Sequence, residues 1–116
     1  MVSVNHLLLV ASLLAATNLS GVWTLELNPD FGGNEDKIDC TFKHKGATLS
    51  VDCGGAPITG TIDGKGVTLR VPTGRANELT ATMTGTLNDA ETVITGTWHL
   101  ADDAGKREGH FTARKH

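Results

Sequence analysis

From Ser20 to the end of the chain, apolar and polar residues alternate in short runs broken by Gly, Asn, Asp and Pro, and no stretch of useful length carries a helical repeat. Alternation puts every second side chain on one face of an extended chain, so the pattern predicts half-buried β-strands. Eight runs fit: Gly21 to Leu27, Lys37 to Lys43, Thr48 to Cys53, Ile58 to Asp63, Val67 to Val71, Leu79 to Leu87, Thr92 to Leu100 and Glu108 to Arg114. Most connections are short and made of turn formers: Lys45-Gly46, Gly54 to Pro57, Asp63 to Gly66, Asn88 to Glu91 and Asp102 to Lys106. Tight connections make consecutive strands antiparallel neighbours, a meander. A meander leaves two unpaired edges unless its last strand meets its first. The expected fold is therefore all-β, an eight-stranded antiparallel up-and-down β-barrel.

One face of the predicted strands reads Trp23, Leu25, Leu27, Ile38, Cys40, Phe42, Leu49, Val51, Cys53, Ile62, Val67, Leu69, Leu79, Met83, Leu87, Ile94, Trp98, Leu100 and Phe111. The other is dominated by threonine, including Thr59, Thr61, Thr80, Thr82, Thr84, Thr86, Thr95 and Thr97. That division gives the sheet a dry side and a wet side. A tetrapeptide recurs as Ile58-Thr59-Gly60-Thr61, Met83-Thr84-Gly85-Thr86 and Ile94-Thr95-Gly96-Thr97, with glycine each time on the dry side. If the last two copies pair, Gly85 faces Gly96. The pair then either leaves a hollow in the wall or lets the sheet bend.

The first residues break the pattern. Leu7 to Ala16 form an apolar run ending in small residues, as in the core of a signal peptide, although no Lys or Arg precedes it. The run is shorter than the roughly 20 residues a membrane-spanning helix needs. Residues 1–17 are accordingly expected to be a signal-like segment and 18–116 one barrel domain, secreted or periplasmic, with a plain N-terminal helix as the alternative. Two cysteines, Cys40 and Cys53, in a small exported domain suggest a disulfide; two buried thiols are the alternative, and His44 alone does not complete a zinc set. A net charge of -3 with scattered basic residues argues against nucleic-acid binding, and aromatic residues at 4% with no Tyr leave little for stacking on bases or sugars.

Leu19-Ser20-Gly21-Val22-Trp23 resembles the Gly-x-Trp opening of lipocalins and related calycin barrels. The terminal Gly109-His110-Phe111-Thr112-Ala113-Arg114, with an Arg near its end, extends the likeness over Leu19 to Lys115. In that family the opening Trp packs at the closed end with a late Arg across it, so the resemblance implies a contact between Trp23 and Arg114. The Thr-Gly-Thr wording is similar to that of small bacterial lipocalin-like proteins. The chain lacks the later lipocalin motifs, and it lacks the Trp and Tyr set with which avidin-like barrels hold biotin. A second likeness, to small periplasmic inhibitors of metalloproteases, would make Thr17 to Ser20 an inserting segment.

No constellation for catalysis stands out: Ser20 and Ser50 lack a nucleophile-elbow context and no carboxylate pair lies on the inner face. His99 and His110 are expected opposite each other across the last hairpin on the threonine face, either sharing a metal or simply solvated, and two ligands fall short of a metal site. Asn18-Leu19-Ser20 matches the glycosylation sequon. Phe31, beside Gly32 and Gly33 in the longest connection, is placed either as a lid on the barrel mouth or as a plug. The expectation is a binding module rather than an enzyme, without a cofactor. It would take a small apolar ligand in a partly filled barrel lined by Phe31, Gly60, Met83, Gly85, Gly96 and Trp98, or alternatively meet a protein partner through its loops.

Overall fold

The computed structural model describes residues 18–28, 37–73, 75–102 and 105–116. The apolar run before Asn18 and the loop bearing Phe31 lie outside the described residues. Eight strands, β1 (Gly21–Asn28), β2 (Lys37–Lys45), β3 (Thr48–Asp52), β4 (Ile58–Asp63), β5 (Gly66–Thr73), β6 (Leu79–Leu87), β7 (Val93–Asp102) and β8 (Gly105–Lys115), form one closed antiparallel barrel in chain order. The seam between β1 and β8 runs from Trp23 opposite Lys115 to Asn28 opposite His110, and it removes the edges that an open meander would expose.

Alternation decides what goes inside. Trp23, Leu25, Cys40, Phe42, Leu49, Val51, Ile62, Val67, Leu69, Met83, Leu87, Ile94, Trp98, Leu100 and Phe111 are buried, joined by Leu19, Ile58, Ala81 and Ala113. No polar or charged residue is buried among the described residues, so apolar side chains fill the interior. Gly46 and Gly64, both at φ +62°, make the tight turns after β2 and β4, where a side chain would be strained.

Strand direction separates the two ends. The turns after β2, β4 and β6 gather at one end with the start of β1 and the finish of β8. The finishes of β1, β3, β5 and β7 lie at the other.

Candidate functional site

The first end is sealed by the chain itself. Trp23 stacks on Phe42 with ring centroids 5.0 Å apart and planes 24° apart. Its indole N–H donates to the Leu19 carbonyl at 2.8 Å. Leu19 is fully buried and its N–H donates to Nδ1 of His44 at 3.0 Å. The Lys115 ammonium reaches the Asn18 carbonyl at 3.3 Å. Arg114 does not lie across Trp23: the register sets it opposite Thr24, on the outer face, where it is exposed. Period-two geometry explains the difference, because Lys115 is the residue that faces Trp23 and shares its side of the sheet.

The middle of the barrel is filled. Gly85 and Gly96 do face each other, as the repeated tetrapeptide suggests. Of the two readings of that pair, the hollow is not left open: Phe111, which pairs with Gly96 across β7 and β8, takes the space. A Cβ built on Gly85 would lie 2.8 Å from Phe111 Cζ, and one on Gly96 would lie 2.0 Å from the Thr84 carbonyl oxygen. The glycines thus let two strands and a ring approach closely, an aromatic covering for bare backbone. Gly60 has the same office, since a Cβ there would meet Leu69 Cδ2 at 2.5 Å. Met83 and Trp98 are buried to within 1% of completely, packed core rather than open lining.

The second end is different. Leu27, Cys53, Val71 and Leu79 pack on the core yet remain partly exposed, and Ile38, on the same face as Leu25, is 37% exposed. These inward-facing apolar side chains are less buried than those at the sealed end, and together they form an apolar rim. Cys40 and Cys53 are joined by a disulfide with Cα atoms 4.2 Å apart, which ties the β2 and β3 side of the rim together. The Gly54 N–H donates to the Asp52 carboxylate at 2.8 Å, fixing the start of the loop that leaves the disulfide. Of the six residues expected to line a pocket, Gly60, Met83, Gly85, Gly96 and Trp98 belong to the packed wall, and Phe31 lies outside the described residues.

On the outer face, His99 stands opposite Glu108, with Nδ1 3.3 Å from the carboxylate, and His110 stands opposite Thr97. The two histidines are therefore offset along the hairpin rather than facing. They share an open groove with Asn28, Thr97 and Glu108, and no group of three His, Cys, Asp or Glu gathers as for a metal among the described residues. At the sealed end the Lys65 ammonium contacts the Asp89 carboxylate, and this hydrogen bond and charge hold Asp89 below the ordinary carboxylate range.

No family model matches the chain, and neither a curated protein nor a solved structure does. The site has to be argued from its own geometry. Leu19 is the important residue that the alternation missed. It sits two positions before Gly21 in the parity of Trp23, so counting backward from the first strand would have placed it inside.

Proposed function

We propose that this protein is an extracytoplasmic binding module, a lipocalin-like barrel that takes a small apolar ligand at its rim rather than in its middle. The observation that carries this is the contrast between the ends: one is plugged by Leu19 over Trp23, and the other presents Leu27, Ile38, Val71 and Leu79 partly uncovered. A cluster of partly exposed apolar side chains at the mouth of a barrel is a natural position for an apolar ligand. The Cys40–Cys53 disulfide suits an oxidising compartment and supports a secreted or periplasmic location. No helix among the described residues is long and apolar enough to cross a membrane. The Asn18 to Ser20 segment is bonded back onto the barrel, which favours ligand binding over insertion of that segment into a protease.

The test is titration of the purified protein with a long-chain fatty acid and with an aromatic fluorophore, alongside native mass spectrometry for a retained molecule. Saturable binding at about micromolar affinity is expected, weakened at least about tenfold in Val71→Asp and Leu79→Asp. Absence of saturable binding by both probes, with no retained molecule, refutes the proposal. A protein co-purifying through the same rim, lost in the same two variants, would replace the small ligand with a protein partner.

A further inference from the structure

Leu19 precedes the first strand and is nonetheless fully buried, held by polar contacts at both ends of its peptide units. Its N–H donates to His44 Nδ1 at 3.0 Å, and its carbonyl accepts the Trp23 indole N–H at 2.8 Å. The other ring nitrogen of His44, Nε2, lies 2.9 Å from the Gly46 carbonyl oxygen. The His44 backbone N–H donates to Ser20 Oγ at 3.0 Å, which fixes the strand beside the segment it holds.

These partners determine where the imidazole proton sits. A backbone N–H only donates, so Nδ1 must offer a lone pair to Leu19. A carbonyl oxygen only accepts, so Nε2 must carry the hydrogen. The arrangement fits a neutral ring in one tautomer. A second proton can add only at Nδ1, where its N–H would point at the N–H of Leu19. One hydrogen bond is then lost and two donors are left facing each other.

Little nearby would compensate a positive ring. From β1 and the residues before it come Asn18, Leu19 and Ser20, and from β3 come Thr48, Leu49 and Ser50, none of them charged. On its own strand Lys43 and Lys45 flank it, and from β8 Lys115 reaches the Asn18 carbonyl; all three are cations. The other charged groups of β2, Lys37 and Asp39, lie toward the start of the strand, where Asp39 accepts from the Thr24 hydroxyl. The carboxylate of Asp63 belongs to β4, one strand further round, and is exposed.

We propose that His44 is a proton-operated latch on the Leu19 plug: the neutral ring holds Asn18 and Leu19 across the sealed end, and the protonated ring releases them and uncovers Trp23. The contribution of the latch is complete at higher pH and is lost as pH falls, because the closed arrangement excludes the added proton. Acid is therefore the signal that would operate the device. The latch lies at the opposite end from the rim and does not depend on what the rim binds.

Hydrogen exchange followed by NMR at the Leu19 amide and the Trp23 indole N–H tests it. After correction for intrinsic exchange rates, protection in the wild type should fall at least about tenfold between about pH 7.5 and about pH 5, as a local opening would. His44→Gln, whose amide can accept and donate without titrating, should hold protection constant. His116→Gln should keep the wild-type fall. The His116 ring lies on the outer face, 2.7 Å from Thr24 Oγ1 and 3.4 Å from Asp39. Constant protection in the wild type, a wild-type fall in His44→Gln, or loss of the fall in His116→Gln overturns the proposal. Ring nitrogen shifts of the wild type give a second decision independent of any variant: the Nε2–H tautomer of His44 at neutral pH supports the latch, and the Nδ1–H tautomer rules it out.

Discussion

Gly96→Ala should damage this barrel far more than one methyl group ordinarily would. The added Cβ would stand 2.0 Å from the Thr84 carbonyl oxygen, 2.5 Å from Gly85 Cα and 2.7 Å from the Thr84 carbonyl carbon. All three atoms are backbone of β6, so no side chain can swing aside. Ordinary contact needs about 3.5 Å, so β6 and β7 would have to part by about 1 Å or more. That separation weakens the ladder on either side, where Thr84 faces Thr97 and Thr86 faces Thr95. Losing about two backbone hydrogen bonds at about 1 kcal/mol each, on top of about 1–3 kcal/mol for overpacking, gives about 3–5 kcal/mol. That is a large share of the roughly 5–15 kcal/mol that typically separates folded from unfolded domains. The assay is equilibrium unfolding in urea followed by tryptophan fluorescence, reading the midpoint at constant m-value. Gly55→Ala is the control: it has nothing within 4 Å of the added atom and should change stability by no more than about 0.5 kcal/mol. A loss below about 1 kcal/mol in Gly96→Ala, or an equal loss in both variants, would refute the argument that these glycines exist for close approach.

Further outcomes concern Trp23, the disulfide and the Lys65–Asp89 pair. Trp23→Ala should cost about 3–5 kcal/mol in the same urea assay, because it removes a fully buried ring and leaves the Leu19 carbonyl without its donor. Alkylation of the denatured protein without reductant should leave its intact mass unchanged. Replacing Cys40 and Cys53 together by Ala should lower stability by about 2–3 kcal/mol, the value for opening a loop with a sequence separation of 13. NMR titration should place Asp89 below its ordinary value of 3.8, and Lys65→Gln should return it there. Since the folded value is the lower one, this pair stabilises the fold above the ordinary value, and its contribution is lost as pH falls through the folded one. High salt should move Asp89 back toward 3.8 because the pair is exposed.

The strands and their buried face were legible because alternation is a local property: eight strands, their order and nearly every core residue follow from parity. What escaped depends on contacts between distant parts of the chain. The room expected between Gly85 and Gly96 is real in the backbone, but a residue on a third element, Phe111, fills it. Setting His99 opposite His110 centres the last hairpin one residue too late, because β7 continues to Asp102 and β8 starts at Gly105. Moving a turn centre by one residue shifts every partner by two, so the faces stayed correct while His99 changed its neighbour from His110 to Glu108. The Trp23 and Arg114 pairing came from resemblance and failed on parity. Leu19 was within reach of the same parity count carried two residues before β1, although the bonds from His44 and Trp23 that hold it there were not.

The seam between β1 and β8 also sets an order on folding. Every other pairing joins strands that are neighbours in the chain, whereas this one brings Trp23 to Lys115. The hairpins can form from local encounters, but the seam requires closure of a loop that spans nearly the whole domain. Until β8 is available, β1 and β7 both present open edges, which makes the unfinished chain most prone to pair with another copy just before completion. Because β1 begins beside the finish of β8, a short linker could join them. Opening the chain instead in the exposed turn between Asn88 and Thr92 would turn the long-range closure into one more hairpin and move the slow step to the pairing of β6 with β7.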